Sequence, residues 1–111
     1  MSIKVRLICE NEHYYDEVII DDYINKYSFE YLDNDNYKCK MFINDKGLIL
    51  NRISDDHQLE LHLMDDAYAL ITSSLGELKF DIKIVDFNFN NDILVIRYLL
   101  EDVDRVIEVE F

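Results

Sequence analysis

Three arginines stand where the surrounding pattern asks for an apolar side chain. Arg52 shares strand parity with Leu48 and Leu50, Arg97 with Ile93, Val95 and Leu99, and Arg105 with Val103, Ile107 and Val109. A guanidinium turned into an apolar interior must meet a carboxylate, a phosphate or the anionic group of a ligand, because an unpaired buried charge is costly. Two other arrangements fit the same residues: a bulge that flips the register, or a place at the mouth of the fold where the charged head reaches water. Tyr27, Tyr31 and Tyr37 fall on apolar positions of neighbouring segments. They either add hydroxyls to such a site or serve as core with the hydroxyl at the rim. Arg52, Arg97, Arg105, Tyr27, Tyr31 and Tyr37 are the candidate ligand-binding set.

Other chemistry finds less footing. Asp33-Asn34-Asp35-Asn36 has the rhythm of a calcium loop, but Tyr37, Lys38 and Asn44 fall where that loop needs an oxygen ligand, a glycine and a glutamate. It reads as a turn. His57 and His62 differ in strand parity, so they face opposite sides and cannot chelate one ion from a single strand; His13 lies in a polar loop. No cysteine or histidine pair has zinc spacing. Ser73 and Ser74 precede Gly76 without a nucleophile elbow, and no glycine-rich phosphate loop is present. Asp55-Asp56 and Asp65-Asp66 fall in turns, where adjacent carboxylates are solvated. The expectation is a protein with no catalytic residues, no metal and no cofactor.

Charge narrows the partners. With 11 Lys+Arg against 24 Asp+Glu the formal net charge is -13. Such a surface repels phosphate backbones and anionic lipid, and it lacks the basic stripe of a nucleic-acid binder. Neither nucleic acid nor a membrane is an expected partner; a small-molecule ligand or a protein is. Cys9 and Cys39 sit within alternating apolar runs and read as buried thiols. The first residues lack the features of a secretory signal, and no run approaches the ~18 apolar residues of a membrane span. The expected compartment is the cytoplasm.

The elements that must position these residues announce themselves by a period of two. Leu78, Phe80, Ile82 and Ile84 alternate with Glu77, Lys79, Asp81 and Lys83. A strand turns every second side chain to one face, whereas a helix needs apolar residues three and four apart. The same alternation marks Ile3 to Cys9, Tyr27 to Tyr31, Tyr37 to Ile43, Leu59 to Leu63 and Val103 to Phe111. Looser runs lie near Glu17 to Asp22, Leu48 to Ile53, Ala67 to Thr72 and Ile93 to Leu100. Short Asn- and Asp-rich turns separate them, including Asn44 to Gly47 and Asn88 to Asp92. Gly47 is expected to supply a positive φ in a hairpin, and Gly76 a bend or bulge. The stretch Asp22 to Lys26 is the only helical candidate.

Several local features together resemble the YwiB-like family of small bacterial proteins. A lysine-bearing first strand, Ile3 to Cys9, precedes an acidic apolar strand, Glu17 to Asp22. The aromatic run Tyr27-Ser28-Phe29-Glu30-Tyr31 follows, then Leu48-Ile49-Leu50-Asn51-Arg52. Ile71-Thr72-Ser73-Ser74-Leu75-Gly76-Glu77-Leu78 and the penultimate strand Leu94 to Leu100 complete the likeness, which spans nearly the whole chain. Glu101-Asp102 departs from the family's glycine-rich loop between the last two strands. The resemblance implies a calycin-like barrel and carries no activity.

The expected architecture is one all-β domain over residues 1–111, a closed or nearly closed antiparallel up-and-down barrel of about 8–10 strands with little or no helix. With no helix to cover it, the apolar face of such a sheet must close on itself. The functional expectation is a non-enzymatic barrel that binds a small anionic or amphipathic ligand in its interior. The alternative is a protein-interaction module with a side-chain-filled interior. Monomer and homodimer both remain open.

Overall fold

The computed structural model describes residues 2–9, 14–21, 25, 27–90 and 92–111. His13 lies outside the described residues, as does all of the Asp22 to Lys26 stretch except Asn25. Ten strands follow one another: β1 (Ile3–Cys9), β2 (Tyr14–Ile20), β3 (Ser28–Leu32), β4 (Lys38–Asn44), β5 (Gly47–Ile53), β6 (His57–Leu63), β7 (Tyr68–Ser73), β8 (Gly76–Asn90), β9 (Ile93–Leu100) and β10 (Val103–Glu110). Among the described residues there is no helix.

Their order in the sheet is β2-β1-β10-β9-β8-β7-β6-β5-β4-β3, with antiparallel neighbours throughout. The two outermost strands, β2 and β3, are consecutive in the chain. The Asn34 side-chain amide, in the turn after β3, donates to the Glu17 carbonyl of β2 at 3.3 Å. The sheet thus curls into a nearly closed barrel, and its apolar face becomes the interior.

Alternation places the core as expected on most strands. Cys39, Met41 and Ile43 of β4 are buried while Lys38, Lys40 and Phe42 are exposed. Cross-strand rows run through the interior, such as Phe29, Met41, Leu50, Leu61, Ala69 and Phe80. Ile3, Leu48, Leu63, Leu94, Ile96 and Val109 are sealed from solvent altogether. Ile82 is buried and Lys79 and Asp81 are exposed.

β8 departs from simple alternation. Its first part, Gly76 to Asp81, pairs with β7, and its second part, Ile82 to Asn90, pairs with β9. Between Ile84 and Asp86 the register with β9 shifts. Phe80, Ile82 and Ile84 face the core before this bulge; Phe87 and Phe89 face it afterwards. An extra residue in one strand inverts the parity of everything beyond it. The bulge lies here and not at Gly76, which closes the β7–β8 hairpin at φ 121. Two further expectations are corrected. Leu78 shares the inner row of Arg52, Leu59 and Ile71, but it is 62% exposed because β9 begins to pair only from Ile82 and nothing covers it. The polar run at Asn88 is strand as far as Asn90, since its phenylalanines are pinned inward.

The turns follow the expected chemistry. Gly47 has φ 151, and a Cβ there would collide with the Leu63 carbonyl. Asn36, Asp66, Glu101 and Asp102 take positive φ without glycine. Paired left-handed residues at Glu101-Asp102 suit the twist of a two-residue hairpin.

Candidate functional site

The barrel has two mouths. At one end stand the far ends of β4 and β5, with Cys39 and Arg52, against Cys9 of β1 and Arg105 of β10. At the other stand Tyr27, the β4–β5 turn and the second half of β8.

Arg52 points along the inner face, as its parity with Leu48 and Leu50 requires, and it is met there. Its Nε lies 2.8 Å from Asp33 Oδ2 and its Nη2 lies 3.2 Å from Asp35 Oδ2. The Nε–H is not aimed at the carboxylate, so the closer contact is electrostatic more than a directed hydrogen bond. The guanidinium also sits 4.3 Å from the centre of the Tyr37 ring, a cation–π contact. Asp33 is buried at 7% exposure, and its Oδ1 accepts the backbone N–H groups of Asp35 and Tyr37, both at 2.9 Å. This turn closes on its own carboxylate, which is why an Asp and not a Gly begins it. The neighbouring Cys39 thiol, 3.9 Å from Asp33 Oδ2, is pushed up to about 11 by burial and then by the Asp33 charge. It stays protonated and chemically quiet. Cys9 is likewise buried and free.

Arg105 is the different case. It lines an interior cleft of about 120 Å³ with Arg52, Tyr98, Cys9, Leu50, Leu59 and Leu61 among its walls. Its Nε is buried and has no hydrogen-bond partner. Among the described residues it forms no ion pair. Beside it, Tyr98 is 4% exposed. Burial pushes its phenol up to about 12 against the opposing pull of the Arg105 charge, so it remains a neutral donor.

Arg97 does not join them. Leu94, Ile96 and Tyr98 are the buried phase of β9, and Arg97 is on the outer face with Ile93. Both phases of Ile93 to Leu100 are rich in apolar residues, so parity with Val95 and Leu99 pointed to the wrong side. Its Nε and Nη2 each lie 3.1 Å from an oxygen of Asp104 across the hairpin. These hydrogen bonds hold the Asp104 carboxyl below its usual range.

The tyrosines also separate. Tyr37 belongs to the Arg52 cluster and Tyr31 is half-buried beside Phe29 at 6.0 Å between ring centres. Tyr27 is 41% exposed at the opposite mouth, so its expected interior position is corrected to a rim one. There its ring lies 6.4 Å from Phe89 and 6.0 Å from Phe111. With Ile43, Asn44, Asp45, Phe87, Asn88 and Phe89 it lines a groove of about 650 Å³. Phe87 and Phe89 escaped the sequence reading because the asparagines between them look like a turn. The signal available was the strict Phe-Asn alternation itself.

Arg6 lies in the polar phase of β1. On the outer face it reaches Glu17, Glu108 and Glu110 at 2.8, 3.5 and 3.1 Å, fastening β2, β1 and β10 together. A further cluster, Ser54, Asp56 and His57, resembles a catalytic set only in composition. Ser54 Oγ and Asp56 Oδ1 both approach the same nitrogen, His57 Nδ1, at 2.8 and 2.9 Å. A relay needs one partner on each ring nitrogen. Among the described residues no group of three or more His, Cys, Asp and Glu side chains is placed to hold a metal ion, and no helix is long and apolar enough to cross a membrane.

Fold and site together define an antiparallel ten-stranded barrel with a basic interior cleft at one end and an aromatic groove at the other. No protein-family model matches the chain, and no curated protein sequence matches it. A solved structure of the YwiB protein from Bacillus subtilis is similar at 14% identity, covering 98% of this chain and 89% of that one, with a TM-score of 0.40.

Proposed function

We propose that this chain is a non-enzymatic barrel that binds a small anionic ligand in its interior, with a carboxylate on Arg105 and Tyr98 and a short apolar tail among Leu50, Leu59 and Leu61. One observation carries the reading: the Arg105 Nε is buried in an apolar-lined cleft with no hydrogen-bond partner. A guanidinium in that setting gains most from a carboxylate that supplies the missing charge. The cleft's 120 Å³ is well below the roughly 300 Å³ at which drug-sized sites begin, so the ligand is a short one. On the local sequence features that resemble the YwiB-like family, we also propose that the chain belongs to it, with a calycin-like barrel, and that it acts in the cytoplasm.

Butyrate and hexanoate are suitable probes in a thermal-shift or calorimetric titration, with butylamine as the opposite-charge control. A ligand that binds only the folded state must raise the melting temperature by mass action. Both acids raise it in the parent protein, and Arg105→Gln abolishes the rise. Equal shifts in parent and variant sink the assignment.

A second reading, an interaction module, is favoured by a separate feature. The Gly76 to Asp81 half of β8 has β7 on one side and, among the described residues, no paired strand on the other, with Leu75 98% and Leu78 62% exposed beside it. An extended segment of a partner protein adds to such an edge by backbone hydrogen bonds. Loss of partner capture in a Lys79→Pro variant, with the carboxylate response intact, separates the two readings.

A further inference from the structure

We infer that the groove at the Tyr27 end binds a small organic cation. This does not rest on the carboxylate reading, because it concerns the opposite mouth and ligands of opposite sign. The groove's volume of about 650 Å³ lies within the range of small-molecule sites.

Its walls supply two kinds of attraction for positive charge. The first is aromatic. Phe87 and Phe89 enter from β8 and Tyr27 from the start of β3. Tyr27 stands tilted at 55° to Phe89 and at 62° to Phe111, which backs them both. Tyr27 is thus set across the Phe89–Phe111 pair, itself stacked at 21°, and a cation held over a ring face is attracted by the ring quadrupole. The second attraction is a carboxylate. Asp45, in the β4–β5 turn, lines the groove and enters no ion pair among the described residues. Asn44 Oδ1 accepts the Lys46 backbone N–H at 2.8 Å, which fixes the shape of that turn.

Among the described residues no basic one lines the groove; the other polar walls described there are Asn44 and Asn88. The chain's net charge of -13 adds a field that concentrates cations and repels anions. Lys46 stands in the same turn but outside the lining set. A neutral ligand of the same shape gains the ring contacts but no attraction to the Asp45 carboxylate.

Choline and its neutral isostere 3,3-dimethylbutan-1-ol test this directly, because they differ in charge and hardly in shape. Titration followed by amide and side-chain NMR on the whole chain is the measurement. Choline is expected to shift Tyr27, Phe87 and Phe89, with the isostere at least about tenfold weaker, the scale of a partly desolvated cation–π contact. Asp45→Asn is expected to weaken choline about fivefold or more, and Phe89→Leu comparably. Asp55→Asn, which removes the same charge from a turn at the other mouth, leaves affinity within about twofold. Asp45 is exposed in its turn, so that variant keeps the fold whatever becomes of Phe89→Leu. Equal binding of the isostere, equal losses in Asp45→Asn and Asp55→Asn, shifts confined elsewhere, or no response to choline would each overturn the inference.

Discussion

Arg52 Nε and Asp33 Oδ2 stand 2.8 Å apart at one mouth of the barrel, and the carboxylate of that pair is almost wholly enclosed. The pair ties β5 to the turn that joins β3 and β4. It also explains why an arginine in an apolar phase is tolerated: its counter-charge arrives from a neighbouring hairpin, and Tyr37 covers its face.

Removing either partner strands the other. Arg52→Met leaves a buried carboxylate and is expected to cost about 2 kcal/mol, below the range for fully buried pairs because the arginine keeps some contact with water. Asp33→Asn costs a similar amount. The double variant Asp33→Asn/Arg52→Met loses less than the sum, a coupling that urea denaturation of the four proteins measures.

Arg105→Met takes the opposite sign. It removes an unpaired guanidinium nitrogen from an apolar cleft and replaces it with a side chain of similar reach. Stability is expected to rise by about 1 kcal/mol, seen as a higher urea midpoint at unchanged slope. A fall of that size would show that the arginine is held by favourable contacts.

The alkaline limb of stability reports two buried acids. Cys39 is raised from 9.0 to about 11 and Tyr98 from 10.0 to about 12, each by burial first. For an acid raised on folding, the unfolded chain ionises first. Stability is therefore full below pH 9 and declines as pH climbs through 11 and 12. Cys39→Ala is expected to flatten the part between pH 9 and 11, a contribution on the order of 2 kcal/mol. Asp104 works the other way. Its carboxyl is lowered by the Arg97 hydrogen bonds, so its small, solvent-screened contribution disappears as pH falls through the folded value.

The two glycines separate backbone conformation from space. Both have positive φ, but a Cβ at Gly47 meets the Leu63 carbonyl whereas one at Gly76 meets nothing within 4 Å. Gly76→Ala is expected to cost about 1–2 kcal/mol from backbone strain alone. Gly47→Ala costs more than that because strand β6 must also move. Paired thermal melts rank them.

Strand identity was legible wherever oil and water alternate over most of a run, as in β4 and β10, because a half-buried strand imposes that period on its residues. It failed where alternation lost contrast. Ile93 to Leu100 is apolar on both sides, so nothing local tells that Ile96 is sealed while Ile93 is exposed. Phe87 and Phe89 were hidden because a bulge two residues earlier resets their parity, and no residue type there announces a bulge. Of the six candidate residues, Arg52 and Tyr37 meet in one cluster, with Arg105 across the same cleft from Arg52. Tyr31 lines the core nearby, Tyr27 belongs to the other mouth, and Arg97 lies outside the barrel. Asp33 and Asp45 read as turn residues, which they are. Their further roles depend on segments brought together by closure of the sheet, and spacing along the chain carries no trace of that.

The stretch between Ile84 and Phe87 carries one residue more than the β9 segment opposite it. Val85 has no partner of its own there, since Ile84 faces Tyr98 and Asp86 faces Arg97; deleting it would straighten the strand and leave both phenylalanines turned inward. The chain's length is thus freest at a spot with neither glycine, proline nor cysteine to advertise it, and homologous sequences aligned with a one-residue gap there can still share this groove.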